Sequence, residues 1–238
     1  MSFHRITLDL TPPPAGQTLT IDGDEAWHAV AVKRVQTGDT IELLDGRGTV
    51  ATATITSTDK RKREARVALQ VETVANHPPT SPRLEIWSAV PKADRAAQMI
   101  DQLAQAGAAV WRPLITERSV TDADHKADRL HRIAVEASKQ CGRPWHLAID
   151  SPRTLADALA WTAGHPKGST LTADADGASA ASLPLGDHLV VLVGPEGGFS
   201  PRELQSLREA GVAGIRLGPH ILRTETAAVA AAVAILSR

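Results

Sequence analysis

Two rhythms of apolar and polar residues divide the chain. Up to about residue 75 the period is mostly two, in TLTID (18–22), TIELL (40–44), TVATATIT (49–56) and EARVALQV (64–71). A period of two sends successive side chains to opposite faces, so these stretches predict short strands, joined by turns at Asp22-Gly23 and Asp45-Gly46. Between residues 24 and 35 the period lengthens, and Asp24 is placed to cap a short helix with Trp27, Val30 and Ala31 on its apolar face. Beyond residue 83 continuous apolar runs such as LEIWSAV (84–90) and LVVLV (189–193) alternate with helical patterns. Helices are predicted at 92–106, 125–140, 154–162, 200–210 and 224–236. Strands are predicted at 84–90, 109–115, 145–149, 169–173, 188–193 and 213–217. Alternation of this kind implies a mostly parallel sheet. Residues 76–83 contain three prolines among small polar residues and read as a linker between a small β domain (1–75) and an α/β domain (84–238). Residues 174–184, rich in Ala, Ser and Gly, are expected to form a mobile surface loop.

Composition narrows the possibilities. Of 238 residues 42% are hydrophobic and 22% charged, which is globular usage and excludes a disordered chain. With 26 Lys and Arg against 27 Asp and Glu, the net charge of -1 excludes binding to polyanions by bulk attraction. It leaves a local patch open: between residues 33 and 66 there are eight basic residues and five acids, an excess of three. A single cysteine, Cys141, excludes a disulfide framework within the chain and multi-cysteine zinc patterns. The nine histidines lack metal-ligand spacing, so no metal is expected. No stretch approaches the roughly 20 apolar residues of a membrane span, and the opening MSFHRITLDL lacks a signal-peptide core. The expectation is a soluble cytoplasmic protein with no membrane partner.

Three stretches can carry chemistry. VGPEGGFSPRE (193–203) directly follows an apolar strand, where open α/β sheets place ligands. Its glycines allow close backbone approach, and Ser200, Pro201 and Glu203 form a helix start with a capping box. The stretch reads equally as a ligand-wrapping loop and as a tight turn, and it is neither GxGxxG nor GxxxxGK. IRLGPHILRTETA (215–227) runs from a strand into the last helix, with Thr224 as the expected N-cap. Arg223 at that helix start opposes the macrodipole, which points to another job for it, or to a structural pairing with an acid. Arg118, after a predicted strand, and Arg143, just past a helix, suit anion or RNA contact but equally a solvated surface. In the β domain Lys33, Arg34, Arg47, Arg66 and the run Lys60, Arg61, Lys62 and Arg63 offer a phosphate-tracking surface or a solubilising turn.

These residues, taken in order, resemble the RsmE family of the SPOUT class of RNA methyltransferases. The likeness is collinear over almost the whole chain. In the N-terminal half it is carried by Trp27 and His28, Lys33 and Arg34, Gly38-Asp39 and Asp45-Gly46. In the C-terminal half it is carried by Lys92 with Asp94 and Arg95, then residues 113–119, 136–143, 193–199 and 217–227. The pairing of Gly-Pro-Glu-Gly-Gly with Leu-Gly-x-x-Ile-Leu-Arg-x-Glu-Thr-Ala is the most specific part. The resemblance implies a SPOUT-type α/β domain with a C-terminal trefoil knot, preceded by a PUA-like β-barrel that binds RNA. It implies methylation of N3 of a specific uridine in 16S ribosomal RNA, on naked RNA or the 30S particle, by a homodimer using S-adenosylmethionine. The cofactor site would comprise Thr172, Gly194, Glu196, Gly198, Leu217, Gly218, Ile221, Leu222 and Thr224, held by loops after residues 173, 193 and 217.

Two positions depart from the family's pattern: Gln105-Ala106-Gly107 stands for Glu-Leu-Gly, and Lys139 stands where an acid precedes Gln140. On the mechanism, Arg223 is expected to stabilise charge developing on the uracil oxygens, and Glu225 is either the base or the group that orients Arg223. RNA contacts are expected from Arg34, Lys60, Arg61, Lys62, Arg63, Arg118 and Arg143. The competing readings are a non-catalytic RNA-binding ribosome assembly factor and, weakened by the missing fingerprint, a nucleotide-dependent oxidoreductase.

Overall fold

A computed structural model describes residues 4–61, 64–92, 94–119 and 127–238. Lys62, Arg63 and the expected start of a helix at residue 125 lie outside the described residues. Contacts divide the chain into two units: Met1–Pro79 with Ser138–His146, and Thr80–Ala137 with Leu147–Arg238.

The first unit is a five-stranded sheet, in the order β1 (His4–Thr7), β3 (Thr40–Leu44), β4 (Thr49–Asp59), β5 (Arg66–Asn76), β2 (Thr18–Asp22). All pairings are antiparallel except the parallel β1–β3 pair. The first seven residues of β4 alternate buried and half-buried, as period two requires, and Ile41, Leu43, Ala53, Ile55, Val67 and Leu69 close the core. The short helix differs from expectation. It is α1 (Gly23–Trp27) followed by a π-helical turn (His28–Val32); Asp22 rather than Asp24 holds the N-cap position, without a side-chain capping bond, and the element buries Ala26, Ala29 and Val30. Ala26 and Ala29, the small residues, meet the sheet, while Trp27 packs at the edge of the core.

Ser138–His146 is the boundary the sequence pattern did not mark. The Arg5 guanidinium donates to the carbonyls of Lys139 and Gln140 at 3.3 and 3.1 Å, and Lys139 Nζ lies 3.0 Å from Glu25 Oε1. The Trp145 indole donates to the His77 carbonyl at 2.9 Å. The strand predicted from residue 145 therefore shrinks to β8 (Ala148–Ile149), because Trp145 and His146 bond to the first unit. The departure at position 139 is explained locally: the lysine is buried against an acid of α1, so a second acid there would meet Glu25.

The second unit is a parallel sheet ordered β12 (Ala213–Arg216), β10 (Thr170–Ser179), β11 (His188–Val193), β6 (Arg83–Ser88), β7 (Val110–Ile115), β8, with β9 (Arg153–Thr154) beside β7. Both faces are covered. Leu189, Val191 and Val193 of β11 join one core, with Met99, Ile100 and Leu103 of α2 (Arg95–Ala106) and the alanines of α6 (Thr224–Leu236). Val190 and Leu192 join the opposite core with Leu155 and Ala158 of α4 (Leu155–Ala163) and Leu207 of α5 (Pro201–Glu209). This two-sided burial is why the strands read as unbroken apolar runs. The remaining helix, α3 (Ala127–Cys141), contributes Leu130, Ala134 and Ala137 to the first of these cores. Among the described residues no helix is long and apolar enough to cross a membrane.

The segment after residue 173, expected as a mobile loop, instead continues β10 to Ser179. Ala178 and Ser179 pair with Ile215 and Arg216 after a register shift. A Cβ on Gly177 would sit 2.5 Å from the Gly214 backbone, so glycine is what lets the two strands approach. Small residues that read as a mobile surface loop serve here as a close backbone contact.

Candidate cofactor site

The carboxyl ends of β10, β11 and β12 open into one cavity of about 310 Å³. All nine expected cofactor residues line it: Thr172, Gly194, Glu196, Gly198, Leu217, Gly218, Ile221, Leu222 and Thr224. Three loops separated along the chain therefore converge on one space, as expected of an open α/β sheet.

Hydrogen bonds shape the loop after β11. The Gly198 amide donates to the Pro195 carbonyl at 2.8 Å, and Gly198 has φ of 66°, the left-handed region that favours glycine. Ser200 then caps α5: its hydroxyl accepts from the Glu203 amide at 3.2 Å, while Glu203 Oε2 accepts from the Ser200 amide at 2.8 Å. The second oxygen of buried Glu203 accepts from the Glu117 amide at 2.9 Å, tying in the loop after β7. Arg118 makes the second tie, donating to the carbonyls of Gly197 at 2.6 Å and Phe199 at 3.5 Å. That arginine, singled out for RNA contact, braces the loop after β11.

At the other wall, the Thr224 hydroxyl donates to the Gly194 carbonyl at 3.0 Å. Thr224 is the first residue of α6, and Arg223 rather than Thr224 holds the extended N-cap conformation. The exchange has a reason: the threonine hydroxyl that could have capped the helix is committed to the neighbouring loop. Arg223 is exposed and has no ion-pair partner among the described residues. Glu225 pairs instead with Arg95 at 3.5 Å, and the same guanidinium lies 3.4 Å from Glu196. The alternative in which Glu225 orients Arg223 therefore finds no contact among the described residues. Glu225 Oε2 is buried without a hydrogen-bond partner among the described residues.

Sequence reasoning did not single out Asp174, Phe199 and His220, which line the cavity, or Arg95, which bridges the two acids. Phe199 packs so closely on Gly194 that a Cβ there would lie 3.1 Å from the ring. The signal for Arg95 was its place beside Asp94 in the matched motif at the start of α2.

In the first unit Arg34 is exposed with φ of 56°, a left-handed conformation unusual for a non-glycine residue, and Lys60 and Arg61 are exposed at the β4–β5 hairpin. Arg61 pairs with Asp59 at 3.0 Å. Arg143 is half-buried, and burial pulls its guanidinium pKa down to about 10, against a smaller raising effect of Cys141.

The cavity accommodates a nucleoside-sized ligand by two observations. Its volume falls in the range of small-molecule sites, and a Cβ built on Gly218 would meet nothing within 4 Å, leaving the backbone open to close approach.

The chain matches the family described as an RNA methyltransferase domain over residues 78–236 and that described as an RNA methyltransferase PUA domain over 21–67. It is 30% identical to the ribosomal RNA small subunit methyltransferase E of Mycobacterium bovis, the alignment covering 94% of this chain and 88% of the relative. Identity to the Bacillus subtilis protein of that name is 31%, over 92% and 89% of the two chains. The crystal structure of the Neisseria gonorrhoeae protein of that name, bound to S-adenosyl methionine, superposes with a TM-score of 0.86 at 26% identity, covering 99% and 98%. With both halves matched in order and aligned nearly end to end at 30% identity or better, the chain belongs to the ribosomal RNA small subunit methyltransferase E family.

Proposed function

We propose that the chain methylates N3 of a specific uridine in small-subunit ribosomal RNA, using S-adenosylmethionine held in the cavity at the ends of β10, β11 and β12. The observation that carries this reading is the convergence of Thr172, Gly194, Glu196, Gly198, Leu217, Gly218, Ile221, Leu222 and Thr224 on one cavity, with Arg223 and Glu225 flanking Thr224 in the chain. When bound, the cofactor supplies an electrophilic methyl group. Backbone groups of Gly194, Gly198 and Gly218 would hold it, with Thr224 fixing the Gly194 carbonyl. The chain's own work is then alignment of the uracil, which is where positioned reactants gain most rate, and handling of the imide proton. Glu225 accepts that proton; its buried second oxygen offers an unmatched acceptor. Arg223, paired with no acid among the described residues, stabilises the negative charge on the uracil oxygens.

The PUA-like unit positions RNA phosphates through Arg34, Lys60, Arg61, Lys62 and Arg63, and the target base must be unstacked to reach the site. Arg118 and Arg143 contribute less, the first because it braces the cofactor loop and the second because it is half-buried. A cytoplasmic homodimer whose C-terminal chain is threaded as a trefoil knot completes the reading.

The test is incubation with labelled S-adenosylmethionine and either small subunits or their RNA, followed by mapping of the labelled base. Arg223→Ala should abolish most turnover while leaving cofactor affinity intact. Label on a base other than uridine overturns the assignment, and an Arg223→Ala variant that turns over near the unaltered rate with unchanged cofactor binding overturns the charge-stabilising role of Arg223. Binding without transfer would instead indicate an assembly factor.

A further inference from the structure

Arg95 opens α2, and its guanidinium is shared between carboxylates on two different parts of the site. Glu196, on the loop after β11, lies 3.4 Å away and faces the cavity. Glu225, in the first turn of α6, lies 3.5 Å away from a second nitrogen of the same group. The planar fork of an arginine can serve two acids in fixed directions, which a lysine ammonium on its flexible stem does not. The Arg95 and Glu225 side chains are 31% and 14% exposed, so solvent screens this contact less than a surface pair. Among the described residues Arg95 is the one side chain that holds the Glu225 carboxylate, whose other oxygen is buried without a partner.

We propose that Arg95 is a positioning residue that ties the placement of Glu225 to the conformation of the cofactor loop. It acts by holding Glu225 from Glu196, so the acid is aligned when the loop is in its cofactor-binding shape. This rests on the proton-accepting role proposed above for Glu225. Two consequences distinguish it from a mere surface ion pair. Loss of the guanidinium lowers turnover more than cofactor affinity, because Glu225 and not the cavity wall loses its orientation. The loss is also non-additive with loss of Glu225, since one residue acts through the other.

The experiment measures single-turnover methyl transfer to small subunits, S-adenosylmethionine affinity by calorimetry, and thermal unfolding. It compares the unaltered chain with Arg95→Ala, Arg95→Lys, Glu225→Gln and the Arg95→Ala/Glu225→Gln double variant. Arg95→Ala should slow transfer about 10- to 100-fold and change cofactor affinity less than about threefold, the size expected when alignment alone is lost. Arg95→Lys should recover part of that rate, and the double variant should be as slow as Glu225→Gln. If Glu225→Gln is too slow to follow, Glu225→Asp takes its place, keeping the carboxylate with a shorter reach. An Arg95→Ala variant of undiminished rate, a loss confined to KM for the cofactor, or losses that multiply in the double variant overturn the role. No transfer by the unaltered chain removes the proposed function and this role together; an active chain indifferent to Arg95→Ala removes this role alone.

Discussion

The hydroxyl of Thr224 reaches back across thirty residues of sequence to donate a 3.0 Å hydrogen bond to the carbonyl of Gly194. It joins the start of the last helix to the end of β11, and both residues line the cavity. Thr224→Val keeps the shape and removes the donor. Loss of a net hydrogen bond costs about 1 kcal/mol, so cofactor affinity should fall roughly fivefold with little change in fold. Calorimetric titration with S-adenosylmethionine checks this, and unchanged affinity would show that the bond does not shape the site.

The ion pair of buried Lys139 with half-exposed Glu25 helps hold the Ser138–His146 segment within the first unit. Lys139→Ala removes a buried charge partner and its packing, while Glu25 stays partly solvated and limits the cost to about 1–3 kcal/mol. Lys139→Met, which keeps the stem, should be the milder change. Denaturant unfolding of the two variants ranks them; equal stability to the unaltered chain would mean the pair contributes nothing.

Acid lability should trace partly to Glu85, buried at the start of β6. Burial alone would raise its carboxyl pKa. Hydrogen bonds from the Trp87 indole at 3.0 Å, from His188 at 3.0 Å and from Arg112 at 3.2 Å outweigh that and hold it below its usual value of 4.5. The folded value lies below the unfolded one, so the carboxylate's contribution is present above pH 4.5 and lost as pH falls through the folded value. Glu85→Gln should therefore be less stable at neutral pH and show a shallower loss on acidification. Unfolding midpoints measured across the acid range decide it; parallel curves for the two chains would refute it.

Arg34, Lys60 and Arg61 are exposed, whereas Arg118 is bonded to the loop after β11 that is proposed to hold the cofactor. Reversing the first three to Glu should weaken RNA binding and lower its salt slope by about two or three, near one for each phosphate no longer neutralised. Arg118→Ala should instead weaken cofactor binding and leave the salt slope in place. Filter binding over a salt series separates the two sets, and a slope that follows Arg118 would reverse these roles.

Much of this was legible in the chain. LVVLV at 189–193 announced a strand of the parallel sheet, apolar throughout because its residues meet cores on both faces, and Ser200-Pro201 with Glu203 announced the start of α5 because capping is a local interaction. The nine residues expected to hold the cofactor came from the family likeness, and all of them line the one cavity where the loops after β10, β11 and β12 converge. What only the tertiary structure decided depends on residues far apart in sequence. Arg95 meets Glu196 and Glu225, Arg118 turns to Gly197, Lys139 finds Glu25, and Gly177 packs on Gly214. A local pattern records which face a side chain takes and where a helix can begin. It does not record which partner a charge meets or which backbones come close, because those are set by how the strands are ordered and paired in space.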